Sequence, residues 1–102
     1  MLKEKVLRKL FLGFIQLHIL HHASKEPVFG LWMMEELHEH GYEISAGTLY
    51  PILHGLEKSG LLHASEKIID GKVRKYYQIT AEGKEVLKLA KEKALELIEE
   101  LE

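Results

Sequence analysis

At 102 residues the chain has room for one small domain whose single core is adequate but not generous, so oligomerisation is a natural supplement. It has no cysteine, which excludes disulfide frameworks, thiolate nucleophiles and Cys-ligated zinc. A formal net charge of −2 argues mildly against a nucleic-acid binder, but residues 82–102 hold seven acids against four lysines, which leaves the remainder slightly positive, and local charge is what a partner meets.

The first predicted helix runs from Leu2 to about His22. Lys3, Lys5, Arg8 and Lys9 ahead of an apolar run imitate a signal peptide, yet no small-residue cleavage site precedes His18, His21 and His22. The run is also too short to span a bilayer, so a soluble, cytoplasmic protein is expected. From Leu10 to Leu20 the helix is apolar almost all round, which predicts burial on more than one side: one beneath a later helix, another against a second subunit. Ala23 to Val28 reads as a loop broken by Pro27.

Phe29 to His40 reads as the next helix, closed by Gly41. Gly30, Met33, Met34 and Leu37 face inward, and Trp32 lies outward with Glu35, Glu36 and Glu39. A large apolar ring left in water usually has a partner, which makes Trp32 a candidate ligand contact. Tyr42–Ile44 forms a turn and extended link.

Ser45–Gly60, SAGTLYPILHGLEKSG, is the most informative stretch. Leu49, Ile52, Leu53 and Leu56 form one apolar stripe of a helix, while Gly47, Pro51, His54, Gly55 and Lys58 fall opposite, flanked by Thr48 and Tyr50. Ser45 suits the N-cap and Gly60 the terminating residue. Whether Pro51 is strained turns on whether Ser45 or Thr48 is the effective cap.

Asp70-Gly71 between two β-prone runs predicts a hairpin with a two-residue turn. That turn pairs Leu62 with Ile79, Ala64 with Tyr77, Glu66 with Lys75 and Ile68 with Val73 on a mainly core face. The other face carries Lys67 opposite Arg74, Ile69 opposite Lys72 and His63 opposite Gln78. Thr80 caps a last helix in which Leu87, Ala90, Ala94, Leu97 and Leu101, widened by Val86 and Ile98, form a seam too long for so small a domain to bury. A two-fold dimer would cover it.

A small-faced helix followed by a basic hairpin is the order of a winged helix-turn-helix: a mainly α fold with a β-hairpin plus a C-terminal dimerisation helix. Residues 1–80 would bind double-stranded DNA and residues 81–102 would dimerise. Phe29-Gly30, Met34 and Leu37, then SAGTLYPIL from Ser45 to Leu53, Leu56-Glu57, Gly60-Leu61-Leu62, and RKYY from Arg74 to Tyr77 leading to Thr80 and Gly83, resemble the PadR-type transcriptional regulators. The likeness is to the short subgroup with a single C-terminal helix. It implies a homodimeric winged-helix repressor on a palindromic operator, released by a small aromatic or drug-like effector or by another signal. Carried onto this chain, it implies groove contacts from Ser45, Thr48, Tyr50, Pro51, His54 and Lys58, and wing contacts from Lys72, Arg74 and Lys75. Capping and packing are the other roles open to Thr48 and Tyr50, and simple solvation to the wing cations.

Two alternatives use the same fold. His18 and His22, one turn apart with His21 adjacent, could chelate an ion in a metal-sensing regulator. No Asp or Cys nearby in the chain completes the shell and His18 lies inside an apolar run, so His21 and His22 are read as favourable groups at a helix C-terminus and no metal site is expected. The acidic total suits a winged helix used for protein–protein contact. No Ser/His/Asp set, Gly-rich phosphate loop or paired carboxylates point to an enzyme.

Overall fold

The computed structural model describes residues 1–102. In chain order the elements are α1 (Leu2–Lys25), β1 (Val28–Phe29), α2 (Gly30–Glu39), α3 (Ala46–Lys58), β2 (Leu62–Ile69), β3 (Lys72–Ile79) and α4 (Ala81–Leu101). The three strands form one antiparallel sheet in the order β1-β3-β2. This is the winged helix-turn-helix expected from the sequence.

Local chemistry sets each boundary. Gly41 ends α2 in the left-handed conformation: its N–H bonds the carbonyl of His38 and the next N–H, on Tyr42, bonds that of Leu37, both at 3.0 Å. Gly60 repeats the device at the end of α3, with Gly60 N–H to Glu57 at 3.0 Å and Leu61 N–H to Leu56 at 2.9 Å. Both are Schellman closures, which turn the chain sharply while satisfying the last carbonyls. At the hairpin, Asp70 and Gly71 both take positive φ, 51° and 76°, as a type I′ turn requires. The resulting β2–β3 register pairs every residue as expected, from Leu62 with Ile79 to Ile69 with Lys72. Thr80 accepts the Gly83 N–H at 3.0 Å and donates to the Gly60 carbonyl at 2.6 Å, so one hydroxyl caps α4 and ties it to the end of α3.

The core gathers Ile15, Ile19, Leu20 and Ala23 of α1, Met33 and Leu37 of α2, Leu49, Leu53 and Leu56 of α3, and Leu62, Tyr77 and Ile79 of the hairpin, with Val28 and Ile44 between. Full burial of a leucine side chain is worth about 1.5–3 kcal/mol, so the α3 stripe anchors that helix and leaves its other face free.

Several expectations are corrected. The supposed loop from Ala23 to Val28 is the last turn of α1 followed by a short strand, because Val28 and Phe29 pair with Tyr77 and Tyr76 on the open edge of β3. The principal neighbours of α1 are α4 and β3, with α2 next, in place of α3. Its N-terminal half is not enclosed: Val6, Leu10 and Phe14 are each at least half exposed. The hairpin face expected to be core is buried only as far as Ala64 and Tyr77. Beyond them the arm projects, and Ile68 and Val73 are 75% and 63% exposed.

Candidate nucleic-acid interface

The outward side of α3 is open. Gly47, Pro51, His54, Gly55 and Lys58 are exposed, Tyr50 is 38% exposed, and Thr48 is half-buried. Ser45 occupies the N-cap by its backbone, whose carbonyl receives Thr48 N–H at 3.1 Å and Leu49 N–H at 2.9 Å. Its hydroxyl makes no cap bond and instead donates to Thr48 Oγ1 at 3.3 Å. With Ser45 as cap, Pro51 lies inside the helix, so the Gly47 carbonyl has no N–H four residues on to receive. Tyr50 folds back over the start of α2, where a Cβ on Gly30 would stand 2.5 Å from the ring and 2.6 Å from its hydroxyl.

The wing adds charge in two different settings. Lys75 shares a hairpin face with Tyr77 and pairs with Glu57 of α3 at 3.2 Å, and that contact holds its ammonium above the usual range. On the opposite face Phe29 and Tyr76 meet edge-on at 5.5 Å, with the Arg74 guanidinium 4.7 Å from the Phe29 ring and Lys67 5.0 Å from Tyr76. The aromatic pair supports those two cations without neutralising them. Lys72 is exposed beside the turn.

Helix and wing share a cleft lined by Gly30, Leu31, Tyr50, His54, Arg74 and Lys75. Tyr77 forms part of its wall; its hydroxyl is buried without a hydrogen-bond partner, and burial pushes the phenol up. Ser45 and Thr48 border a separate depression together with Arg8, His38 and Tyr42. Of the residues singled out from the sequence, the fold therefore brings Tyr50, His54, Arg74 and Lys75 together, sets Ser45 and Thr48 beside them, and leaves Lys58 and Lys72 outside both hollows. Two further cations lie near these residues without having been named as contacts: Arg8 of α1 borders the depression of Ser45 and Thr48, and Lys67, expected opposite Arg74 on the polar hairpin face, lies over Tyr76.

Trp32 does not stand among exposed glutamates. It is half-buried against the core, edge-on to the His22 ring at 5.4 Å. The α4 seam divides: Leu87, Ala90 and Ala94 are half-buried, and Leu87 and Ala94 border a groove with Phe14, Leu17, His21 and Tyr42 of the same chain. Leu97, Ile98 and Leu101 lie beyond that groove and are 54%, 53% and 76% exposed.

Comparison with known proteins bears on the fold and the family. Residues 19–89 match the model of the transcriptional regulator PadR-like family. A transcriptional regulator of Mycobacterium tuberculosis is 48% identical over 73 residues, spanning 72% of this chain and 68% of its own length. Among solved structures, a PadR family transcriptional regulator from Eggerthella lenta superposes with a TM-score of 0.84 at 31% identity, over 98% of this chain and 88% of that one. A PadR-like regulator from Bacillus cereus gives 0.83 at 30% identity, over 91% and 92%.

Proposed function

The chain belongs to the PadR-like family of transcriptional regulators, and from that premise we propose that it acts as a homodimer gripping a palindromic operator, repressing transcription until an effector releases it. The observation that carries this reading is the open face of α3 beside the cations of the wing. Glycine, proline and a single imidazole at Gly47, Pro51, His54 and Gly55 let the helix approach the floor of a major groove closely. Thr48, Tyr50 and His54 then reach base edges, and Ser45 and Lys58 meet phosphates at the two ends of the helix. Lys72 and Arg74 lie along the backbone, with Lys75 joining them when Glu57 yields it, and these contacts set position and salt dependence without reading sequence.

In this reading residues 1–80 make the DNA-binding unit and residues 81–102 the dimerisation helix, with Leu97, Ile98 and Leu101 meeting the partner subunit. Two-fold symmetry would hold the paired α3 helices about one duplex turn apart, roughly 34 Å. An aromatic effector entering between α1 and α2 would meet Trp32 and act by favouring a dimer shape with the wrong spacing, to the extent that it binds the two shapes unequally. Quenching of Trp32 fluorescence by planar aromatics checks that part, and no change at millimolar ligand removes it.

The function itself is checked by fluorescence anisotropy with duplexes from the protein's own promoter across a salt series. Binding that weakens steeply as salt rises is expected; affinity indifferent to salt would favour a protein-contact role instead.

A further inference from the structure

The DNA-facing surface leaves a patch of imidazoles unused where α1 meets α2. His18 and His22 are one turn apart on α1, their rings stacked at 6.3 Å and 11° from parallel. His40, which closes α2, brings its ring to 4.7 Å from His18 and 6.5 Å from His22. One ligand atom from each of the three lies within 4.8 Å of the others. Glu36, one turn before His40, places Oε1 3.5 Å from His22 Nε2 and 3.3 Å from His40 Nε2.

We propose that His18, His22, His40 and Glu36 form a site for a borderline divalent transition-metal ion (zinc, cobalt or nickel) that clamps α1 to the end of α2. Three imidazoles and a carboxylate, in a chain without thiolates, suit these ions better than copper(I) or the hard oxygen-seeking cations. A tetrahedral ion with bonds of about 2.0–2.1 Å holds its donors about 3.3–3.4 Å apart. Glu36 stands at that separation from His40, at 3.3 Å, and just beyond it from His22, at 3.5 Å, and side-chain rotation draws His18 in. Burial keeps the His18 and His22 imidazoles below their ordinary range, preserving the neutral lone pairs that coordination uses. A single carboxylate facing three rings can share protons with only part of the cluster, whereas a dication takes all four donors at once.

Reading along the chain misses this site because its other half is distant in sequence. His21 was the expected neighbour, but the third ring is His40 and the acid is Glu36, both supplied by α2. The position also gives the ion leverage. His40 precedes the link into α3, where His38 Nε2 lies 3.0 Å from the Ile44 carbonyl, so metal would tie α1 to the turn that sets the angle of α3.

The site does not depend on the DNA reading, and its test uses no DNA. Tag-free, chelator-treated full-length protein is titrated with zinc chloride by calorimetry and with cobalt chloride by absorbance and Trp32 fluorescence. One ion per chain is expected, with visible bands of tetrahedral cobalt, quenching of Trp32 through its contact with His22, and a Tm that climbs with zinc concentration. His40→Ala removes a half-exposed ring without opening the core and should keep its far-UV CD spectrum. As a direct ligand change it should weaken zinc binding by more than the roughly 10–100-fold that outer-shell changes cost. His22→Gln should do the same, while His63→Ala leaves the titration as it was. No stoichiometric uptake of either ion, or uptake unaltered by His40→Ala and His22→Gln, overturns the proposal.

Discussion

At the residue scale, two glycines with the same close packing have opposite consequences. A Cβ on Gly30 meets the far end of the Tyr50 ring, which can swing aside; a Cβ on Gly83 meets the Leu61 carbonyl and Ile79, which cannot. Gly83→Ala should therefore cost about 1–3 kcal/mol of stability, as overpacking does. Gly30→Ala should leave Tm nearly unchanged and instead weaken operator binding severalfold by displacing Tyr50. Denaturant melts and anisotropy on both variants separate the two. Among the cations, Arg74→Ala and Lys72→Ala should weaken binding evenly across sequences and each lower the salt slope by about 1. His54→Ala should relax sequence preference at its base pair by about 1–3 kcal/mol. The imidazoles of His18 and His22 add a pH signature. Burial lowers both from 6.5, the neighbouring imidazoles lower them further, and Glu36 offsets part of the shift at each, ranking second among the causes at His22 and last at His18. The unfolded chain thus binds protons more readily than the folded one, so metal-free stability is full above about pH 6.5 and falls as the pH drops through the lowered values. Thermal melts between neutral and mildly acidic pH should show that loss, reduced in His18→Gln.

At the element scale, α3 carries an internal proline on the face proposed to meet DNA. Pro51→Ala restores a donor for the Gly47 carbonyl and should raise stability, by up to the roughly 3 kcal/mol an interior proline costs, while lowering operator affinity. A variant both more stable and a better binder would mean Pro51 has no part in the groove. The elements also show how much was legible in the sequence. Asp70-Gly71 fixed the hairpin because that pair admits one tight turn, and the turn dictates every cross-strand partner. The stripe of Leu49, Leu53 and Leu56 was legible because helical period and burial coincide. Val28-Phe29 was not: two residues after a proline carry no period, and their pairing depends on a distant edge of β3. Trp32 looked exposed by its place on the helical wheel of α2, but α1 lies across that side and half-covers it. The union of His18 and His22 with Glu36 and His40 was equally hidden, since no spacing within one helix reports what a second helix brings.

At the scale of the whole molecule, the chain alone is extended. Its radius of gyration is 14.6 Å, against about 13 Å for a compact domain of this length. The excess goes with the projecting wing, the N-terminal half of α1 and the C-terminal end of α4, where Val6, Leu10, Phe14, Leu97, Ile98 and Leu101 lie exposed. A symmetric pair would cover those side chains, so Tm should rise with protein concentration. Leu97→Glu with Ile98→Glu should give a monomer by light scattering that retains its helical spectrum and binds DNA weakly. The most direct measurement takes duplexes that the protein itself selects from a random pool and compares them with copies in which about five base pairs, half a helical turn, separate the half-sites. Paired α3 helices held at one-turn spacing should lose about a hundredfold or more in affinity on the lengthened duplex, the margin that simultaneous engagement supplies. Equal affinity for the two duplexes, or no selection of DNA at all, would contradict a symmetric pair reading the groove.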